Sequence, residues 1–387
     1  VNPPVCLEYD LGQLGSIYKK TLETIAPNSS DSGFIGARYK PTSYLVSDKE
    51  AERLAKELNT DVNLLRNTQT NIAEFMKRLL VRRFESSIYA FNKTLKNMID
   101  SSESILKWYE RGKVPIYKKG NLPDVESLFD DTGDDSISQL DDINYEEQLQ
   151  GFIDKGLEFV NSKDLSPKFE QDLRNDIKLL NEIRGEWTRV EPIDDPKINH
   201  FIEIIKSQLA ANDDRKIVVF SEYSDTADYL YNQLKDQFRA FKYSASDASK
   251  KNSELIRENF DAGYQIQKDD FDLLIATDAI SEGYNLHRAG TVFNYDIPYN
   301  PTRVIQRVGR INRINKKVFD QLFIYNFFPT VTGEIETRVK QISTLKIAVI
   351  QALLGEDTMV LTSDEELQSF YSKEFLDEME KENELSW

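Results

Sequence analysis

The sequence has one cysteine, two histidines and no long apolar run, and each shortage closes off a class of protein. A lone Cys6 can form neither an internal disulfide nor a multi-cysteine zinc site. His200 and His287 are too few for a histidine-rich metal centre, so no metal site is expected. Apolar runs such as Ile217–Phe220 and Leu273–Ala276 stop after a few residues, against the roughly 20 needed to span a bilayer. Basic charge is short as well: Lys plus Arg is 49 against 66 for Asp plus Glu, a formal net charge of -17. A chain this acidic opposes broad, non-specific binding to nucleic acid, so any basic surface has to be local. The opening Val1-Asn2-Pro3-Pro4 is neither an initiator Met nor a signal peptide. The expectation is a soluble, cytoplasmic protein without a membrane segment, and a fragment of something longer.

What remains is ordinary globular usage, 40% hydrophobic and 30% charged. At about 100–200 residues per domain, 387 residues make two or three domains. The pattern divides the chain at about 48, 191 and 356. Residues 1–48 are mixed, with a strand at Val5–Tyr9 and a helix over Gly15–Ile25. Residues 49–191 read as helical and nearly free of strand signals. Ala51, Leu54 and Leu58, then Ile72, Phe75, Met76 and Leu79, then Ile88, Phe91, Leu95 and Ile99 recur at helical spacing. Between Asn121 and Gln150 stand ten acidic residues and no Lys or Arg, which reads as a solvated loop. Its Asp130–Asp135 run lacks the alternating ligands and closing Glu of a calcium loop.

From residue 192 to 356 the pattern becomes α/β. Short apolar runs at Lys216–Phe220, Phe241–Tyr243, Leu273–Ala276, Thr291–Tyr295 and Leu322–Phe327 alternate with helical stretches, the mark of a parallel sheet covered on both faces. The last helical stretch is expected from Gly333 to about Leu354. Residues 357–387 form an acidic tail.

Ligands of such sheets bind outside the carboxyl ends of the strands. The residues there are Ser221-Glu222-Tyr223-Ser224, Ser244-Ala245-Ser246, Thr277-Asp278, Gly283-Tyr284-Asn285 and Asp296. Hydroxyls, amides and a glycine suit phosphate oxygens and sugar hydroxyls. Gln306-Arg307-Val308-Gly309-Arg310-Ile311-Asn312-Arg313 is sharper. As one helix, it sets Gln306, Arg310 and Arg313 on one face and Val304, Val308 and Ile311 on the other. Asn300 can cap that helix and Pro301 fits its first turn. Fixed guanidiniums at a ligand edge match phosphate geometry and stabilise charge on a transferred phosphoryl group.

With those residues in place, the stretch from about Pro196 to Glu356 resembles the second RecA-like lobe of superfamily-two helicases. Lys216–Tyr223 looks like motif IV, Ile275–Leu286 like motif V and Gln306–Arg313 like motif VI. Val292–Asp296 followed by Tyr299-Asn300-Pro301 resembles the Swi/Snf branch, its bacterial RapA-like members above all. Arg82–Ser87 with Ala90-Phe91 is similar to the segment joining the lobes in bacterial members. The resemblance implies a RecA-like parallel sheet flanked by helices, preceded by a mostly helical region. It assigns Arg310 and Arg313 to ATP phosphates, one as arginine finger, with Gln306 bridging the nucleotide and nucleic-acid sites. Gly283 and Asn285 would lie near the nucleotide, and Ser221, Ser246 and Thr277 on the nucleic-acid backbone. Motif V departs from the Swi/Snf pattern by carrying Glu282 before Gly283.

No Gly-x-x-x-x-Gly-Lys-Ser/Thr loop occurs in the 387 residues. ATP and Mg²⁺ would therefore be completed by an upstream RecA-like lobe of the same polypeptide, and the nucleic-acid partner would be double-stranded DNA. The expectation is the C-terminal half of an ATP-dependent helicase or translocase, inactive alone. A degenerate, non-catalytic RecA-like scaffold or nucleic-acid-binding module is the alternative. A metabolic α/β enzyme using a dinucleotide is a remote third reading, because no Gly-x-Gly-x-x-Gly is present.

Overall fold

The computed structural model describes residues 4–7, 9, 11–26, 33–117, 157–212, 214–280, 283–298, 301–311, 318–319 and 321–327. The expected acidic loop, the helix from Gly333, the tail and Arg313 lie outside them. The chain falls into two units, one made of residues 1–10 with 196–387 and the other of residues 11–195.

In chain order the strands are β1 (Val5–Leu7), β2 (Lys113–Tyr117), β3 (Leu157–Asn161), β4 (Lys216–Ser221), β5 (Ala240–Tyr243), β6 (Leu273–Thr277), β7 (Ala289–Asn294) and β8 (Phe323–Phe327). Among the described residues, six of them make one sheet in the order β1-β8-β7-β4-β6-β5, with every pairing parallel. The α/β expectation therefore holds, and all five expected strands after residue 196 are present within two residues of their expected ends. The sequence pattern groups the first strand with residues 1–48. In the structure it pairs with β8, so residues 11–195 enter the sequence between two strands of one sheet.

β4, β6 and β7 are buried along their whole length, as a sheet covered on both faces requires. Alternate residues feed separate cores. Ile217, Val219, Ile275 and Phe293 pack with Ile198, Phe201 and Ile205 of the helix Pro196–Ala211 and with Leu230. Val218, Phe220, Leu274 and Val292 pack instead with Ile256 and Phe260 of the helix Lys250–Phe260, and with Ile311. The period-two alternation of these short runs thus builds three layers.

The unit of residues 11–195 is mainly helical: Gly15–Ile25, Asp48–Glu57, Val62–Ser86, Ile88–Glu110 and Lys168–Trp187. Ser87 separates two long helices because its backbone is extended (φ -158°, ψ 149°), and its hydroxyl caps the second by accepting from the Ala90 N–H. Beside it, buried Arg83 donates to the Thr94 hydroxyl at 2.8 Å. One expectation needs correcting. β2 and β3 form an antiparallel hairpin inside the stretch read as nearly strand-free. Val114, Pro115 and Ile116 are all buried, as is Val160 in register with Val114, and strands this short give no alternation that stands out beside the long helices around them.

Candidate functional site

Polar residues collect at the carboxyl edge of the parallel sheet. Ser221 of β4 stands in register with Thr277 of β6, Phe220 with Asn294 of β7, and Asn294 with Asn326 of β8. Asn294 donates its amide to the Asn326 oxygen at 2.7 Å. Over this edge lies the helix Pro301–Gly309, whose aliphatic side chains Val304 and Val308 are buried.

Arg307 is the hub. It is fully buried, and its fork meets Asp278 with two hydrogen bonds, Nε to Oδ1 at 2.6 Å and Nη2 to Oδ2 at 2.8 Å. Its Nη1 donates to Asn294 Oδ1 at 3.1 Å and to the Asp296 carbonyl at 3.3 Å. The guanidinium lies 5.2 Å from the centre of the Phe220 ring. One side chain thus ties the ends of β4, β6 and β7 to the helix, in the bidentate geometry that only Arg provides. Burial pulls the Arg307 pKa down, but Asp278, then Asp296 and Glu222, outweigh it and leave it raised. The Asp296 carboxylate accepts from the Ser221 hydroxyl at 2.6 Å and the Glu222 N–H at 2.5 Å.

The expected site residues divide. Gln306 is exposed on the helix and Arg310 is half-buried just beyond its end. The helix Pro301–Gly309 ends before Arg310, so the expected single helix through Gln306–Arg313 is not what forms at Arg310. Arg310 N–H is shared between the Gln306 and Arg307 carbonyls, and Ile311 N–H turns to the Val308 carbonyl, a tightened last turn. The Arg310 carbonyl accepts from the Leu286 N–H at 3.0 Å, which joins the loop after β6 to the arginine segment. In that loop Gly283 is exposed with φ +89°, a left-handed conformation open to glycine at little cost. Asn285 donates to Asp261 at 3.3 Å. Ser246 is exposed and within 2.9 Å of the Ser244 hydroxyl. Thr277 is nearly buried and accepts weakly from the Ala279 N–H. Ser221 is fully buried, with its hydroxyl given to Asp296 and accepting from the Tyr223 N–H.

Sequence reasoning placed Asp278 and Asp296 at the strand ends but gave none of Arg307, Asp278, Asn294 and Asp296 a role of its own. A signal existed: helical spacing puts Arg307 next to Ile311 and Val304, at the border of the buried stripe, and Asp278 directly follows a buried strand. No group of three His, Cys, Asp or Glu able to hold a metal occurs among the described residues.

Residues 196–315 match the family model of the helicase conserved C-terminal domain. The uncharacterized ATP-dependent helicase YqhH of Bacillus subtilis is 30% identical over 149 residues, covering 38% of this chain and 25% of that protein. Protein CHROMATIN REMODELING 5 of Arabidopsis thaliana is 30% identical over 141 residues, 36% of this chain and 8% of its own length. The chain therefore spans a quarter or less of the length of these two relatives. The helicase domain of Hef from Pyrococcus furiosus superposes with a TM-score of 0.42 and 19% identity, covering 84% of this chain and 56% of that one. No helix among the described residues is long and apolar enough to cross a membrane.

Proposed function

We propose that the chain is the C-terminal half of an ATP-dependent translocase or helicase of the Swi/Snf type, acting on double-stranded DNA. The observation that carries this reading is the buried Arg307 clamp. It locks the arginine-bearing helix across three strand ends, so that Arg310 and Gln306 reach outward from a fixed base. A fold that spends a buried ion pair on holding a helix in place suits charge that must be pre-set before a reaction. The match over residues 196–315 and the relatives named as helicase and chromatin-remodelling protein support it.

In this reading Arg310, with Arg313, faces the ATP phosphates and stabilises charge as the terminal phosphoryl departs. Gln306, exposed one turn earlier, spans toward the nucleic acid. Gly283 and Asn285 line the nucleotide side, while Ser246 and Thr277 meet phosphodiester oxygens. Ser221 acts from beneath by orienting Asp296. ATP brings the reacting phosphates and Mg²⁺ neutralises them. No residue described here is assigned to the metal, and the missing phosphate loop is supplied by an upstream lobe.

The test is Arg310→Ala in the polypeptide extended upstream to include a phosphate loop. Nucleic-acid-stimulated turnover should fall by about 10³–10⁵, while ATP affinity changes far less because ground-state contacts lie elsewhere. Wild-type turnover in that variant refutes the assignment.

A further inference from the structure

Tyr284 is the fixed point of the loop between β6 and β7. Its hydroxyl lies 3.0 Å from the Tyr243 hydroxyl at the end of β5, and 2.7 Å from the Ser253 hydroxyl of the helix Lys250–Phe260. The Tyr243 and Tyr284 rings meet edge to face at 5.7 Å, and both are buried. Arg257 stands one turn beyond Ser253 on that helix, with its guanidinium 5.8 Å from the centre of the Tyr284 ring, within cation–π range. Tyr284 directly follows Gly283, which is exposed with open space where a Cβ would stand. A pinned ring thus holds an arginine at the most open point of this loop.

Arg257 is itself exposed, and it makes no ion pair among the described residues. Of the acids beside it, Glu258 pairs with Lys268 at 2.8 Å, and Glu254 pairs with no described cation. Lys250, three residues before Ser253 and seven before Arg257, shares their helix face and is also exposed and without an ion pair. The helix dipole favours Arg257 in the last turn but opposes Lys250 in the first, so a local account covers one cation and not the row. Ser246 lies just ahead of the helix, in a turn that Asn252 fastens by donating to the Asp247 carbonyl at 2.8 Å. In a chain of net charge -17, this face carries positive charge that no carboxylate offsets.

From this we infer that Arg257 and Lys250 are phosphodiester-binding residues, a backbone track along the helix Lys250–Phe260 with Arg257 seated on Tyr284. The two cations are about 10 Å apart along the helix. That span suits a strand with a phosphate about every 3.4 Å of axis, and exceeds a lone phosphate group. The inference rests on the nucleic-acid reading given above, and it adds to Ser246 two charged contacts separate from Gln306 and Arg310. Such contacts release condensed counterions and read no base.

The test titrates the chain with a fluorescently labelled DNA duplex across a series of salt concentrations. Arg257→Gln should bind several-fold more weakly at low salt. Its slope of log affinity against log salt should be shallower by about 0.9, and by about 1.8 when Lys250→Gln is added. Arg257→Lys should keep most of the slope. Lys206→Gln, which removes an exposed cation from the helix on the other face of the sheet, should keep all of it. Melting temperatures should match throughout, because every substituted side chain is exposed. An unchanged slope in Arg257→Gln, with wild type binding in a salt-dependent manner, overturns the track alone. An equal loss in Lys206→Gln also overturns it, since any surface charge would then serve. Absence of salt-dependent binding by wild type overturns the nucleic-acid reading and the track with it. A parallel titration with ATP separates the two sources of phosphate. Arg257→Gln should treat ATP as wild type does, and weakened ATP binding with an unchanged DNA slope assigns the arginine to the nucleotide and overturns the track.

Discussion

Arg307 is fully buried, so its charge is stabilised by the protein: by Asp278 above all, by Asn294 and the Asp296 carbonyl, and by the fields of Asp296 and Glu222. Breaking such a pair from one side leaves the other charge stranded, and that loss is much larger than the net worth of the pair. Arg307→Met should therefore destabilise the α/β unit by about 3–5 kcal/mol. The double variant Arg307→Met with Asp278→Asn should recover part of this. Chemical denaturation followed by far-ultraviolet circular dichroism measures both, and a single variant as stable as wild type contradicts the clamp. The contrast with Gln306 and Arg310 is the lesson at this scale. One residue before Arg307, Gln306 is exposed, and three residues after it, Arg310 is half-buried, so neighbouring polar side chains on one short segment meet unlike surroundings.

At the scale of elements, the segment 33–45 in the helical unit shows how side chains fasten irregular backbone. Asp176 of the helix Lys168–Trp187 accepts from the Ile35 and Ala37 N–H groups, both at 2.8 Å. Gly36 between them has φ +72°, and a Cβ there would lie 3.2 Å from Ala73. Gln69 accepts from the Thr42 N–H and hydroxyl, and Asp172 from the Tyr44 hydroxyl. Burial pushes the Asp176 carboxyl from 3.8 up to about 6, although the backbone donors pull it back down. The folded state thus holds this proton more tightly than the unfolded chain does. The stabilisation is complete below about pH 4, fades between about 4 and 6, and is gone above that. Two units correspond to about 3 kcal/mol. Tryptophan fluorescence suits the measurement, since Trp108 and Trp187 are both buried in this unit. Wild type should lose stability from about pH 4 to 6 relative to Asp176→Asn; parallel pH profiles contradict the shift.

Elements were the most legible part of the sequence. The runs at Ile217–Phe220 and Leu273–Ala276 are too short and too apolar for anything but buried strands, and Gly15–Ile25 is a helix with the expected ends. The β2–β3 hairpin was not legible, because its second strand lies some forty residues beyond its first and only tertiary pairing reveals it. The pairing of β1 with β8 was hidden for the same reason. In the site, exposed Gln306 and half-buried Arg310 followed from spacing. The inward turn of Ser221 did not, since a serine after a strand looks alike whether it faces a ligand or a neighbouring carboxylate.

At the scale of the whole molecule, a net charge of -17 opposes broad, non-specific binding to nucleic acid. The arginine-bearing helix lies within the residues that match the helicase conserved C-terminal domain, and the 387 residues contain no phosphate loop to cradle ATP. The central claim is that the chain supplies one half of an ATPase, and ATP hydrolysis tests it most directly. The measurement is steady-state turnover, with and without duplex DNA, by the purified chain beside the same chain extended upstream to include a phosphate loop. The account predicts background rates for the chain under both conditions and DNA-stimulated hydrolysis for the extended protein. Sustained turnover by the chain alone, or an extended protein indifferent to DNA, would contradict it.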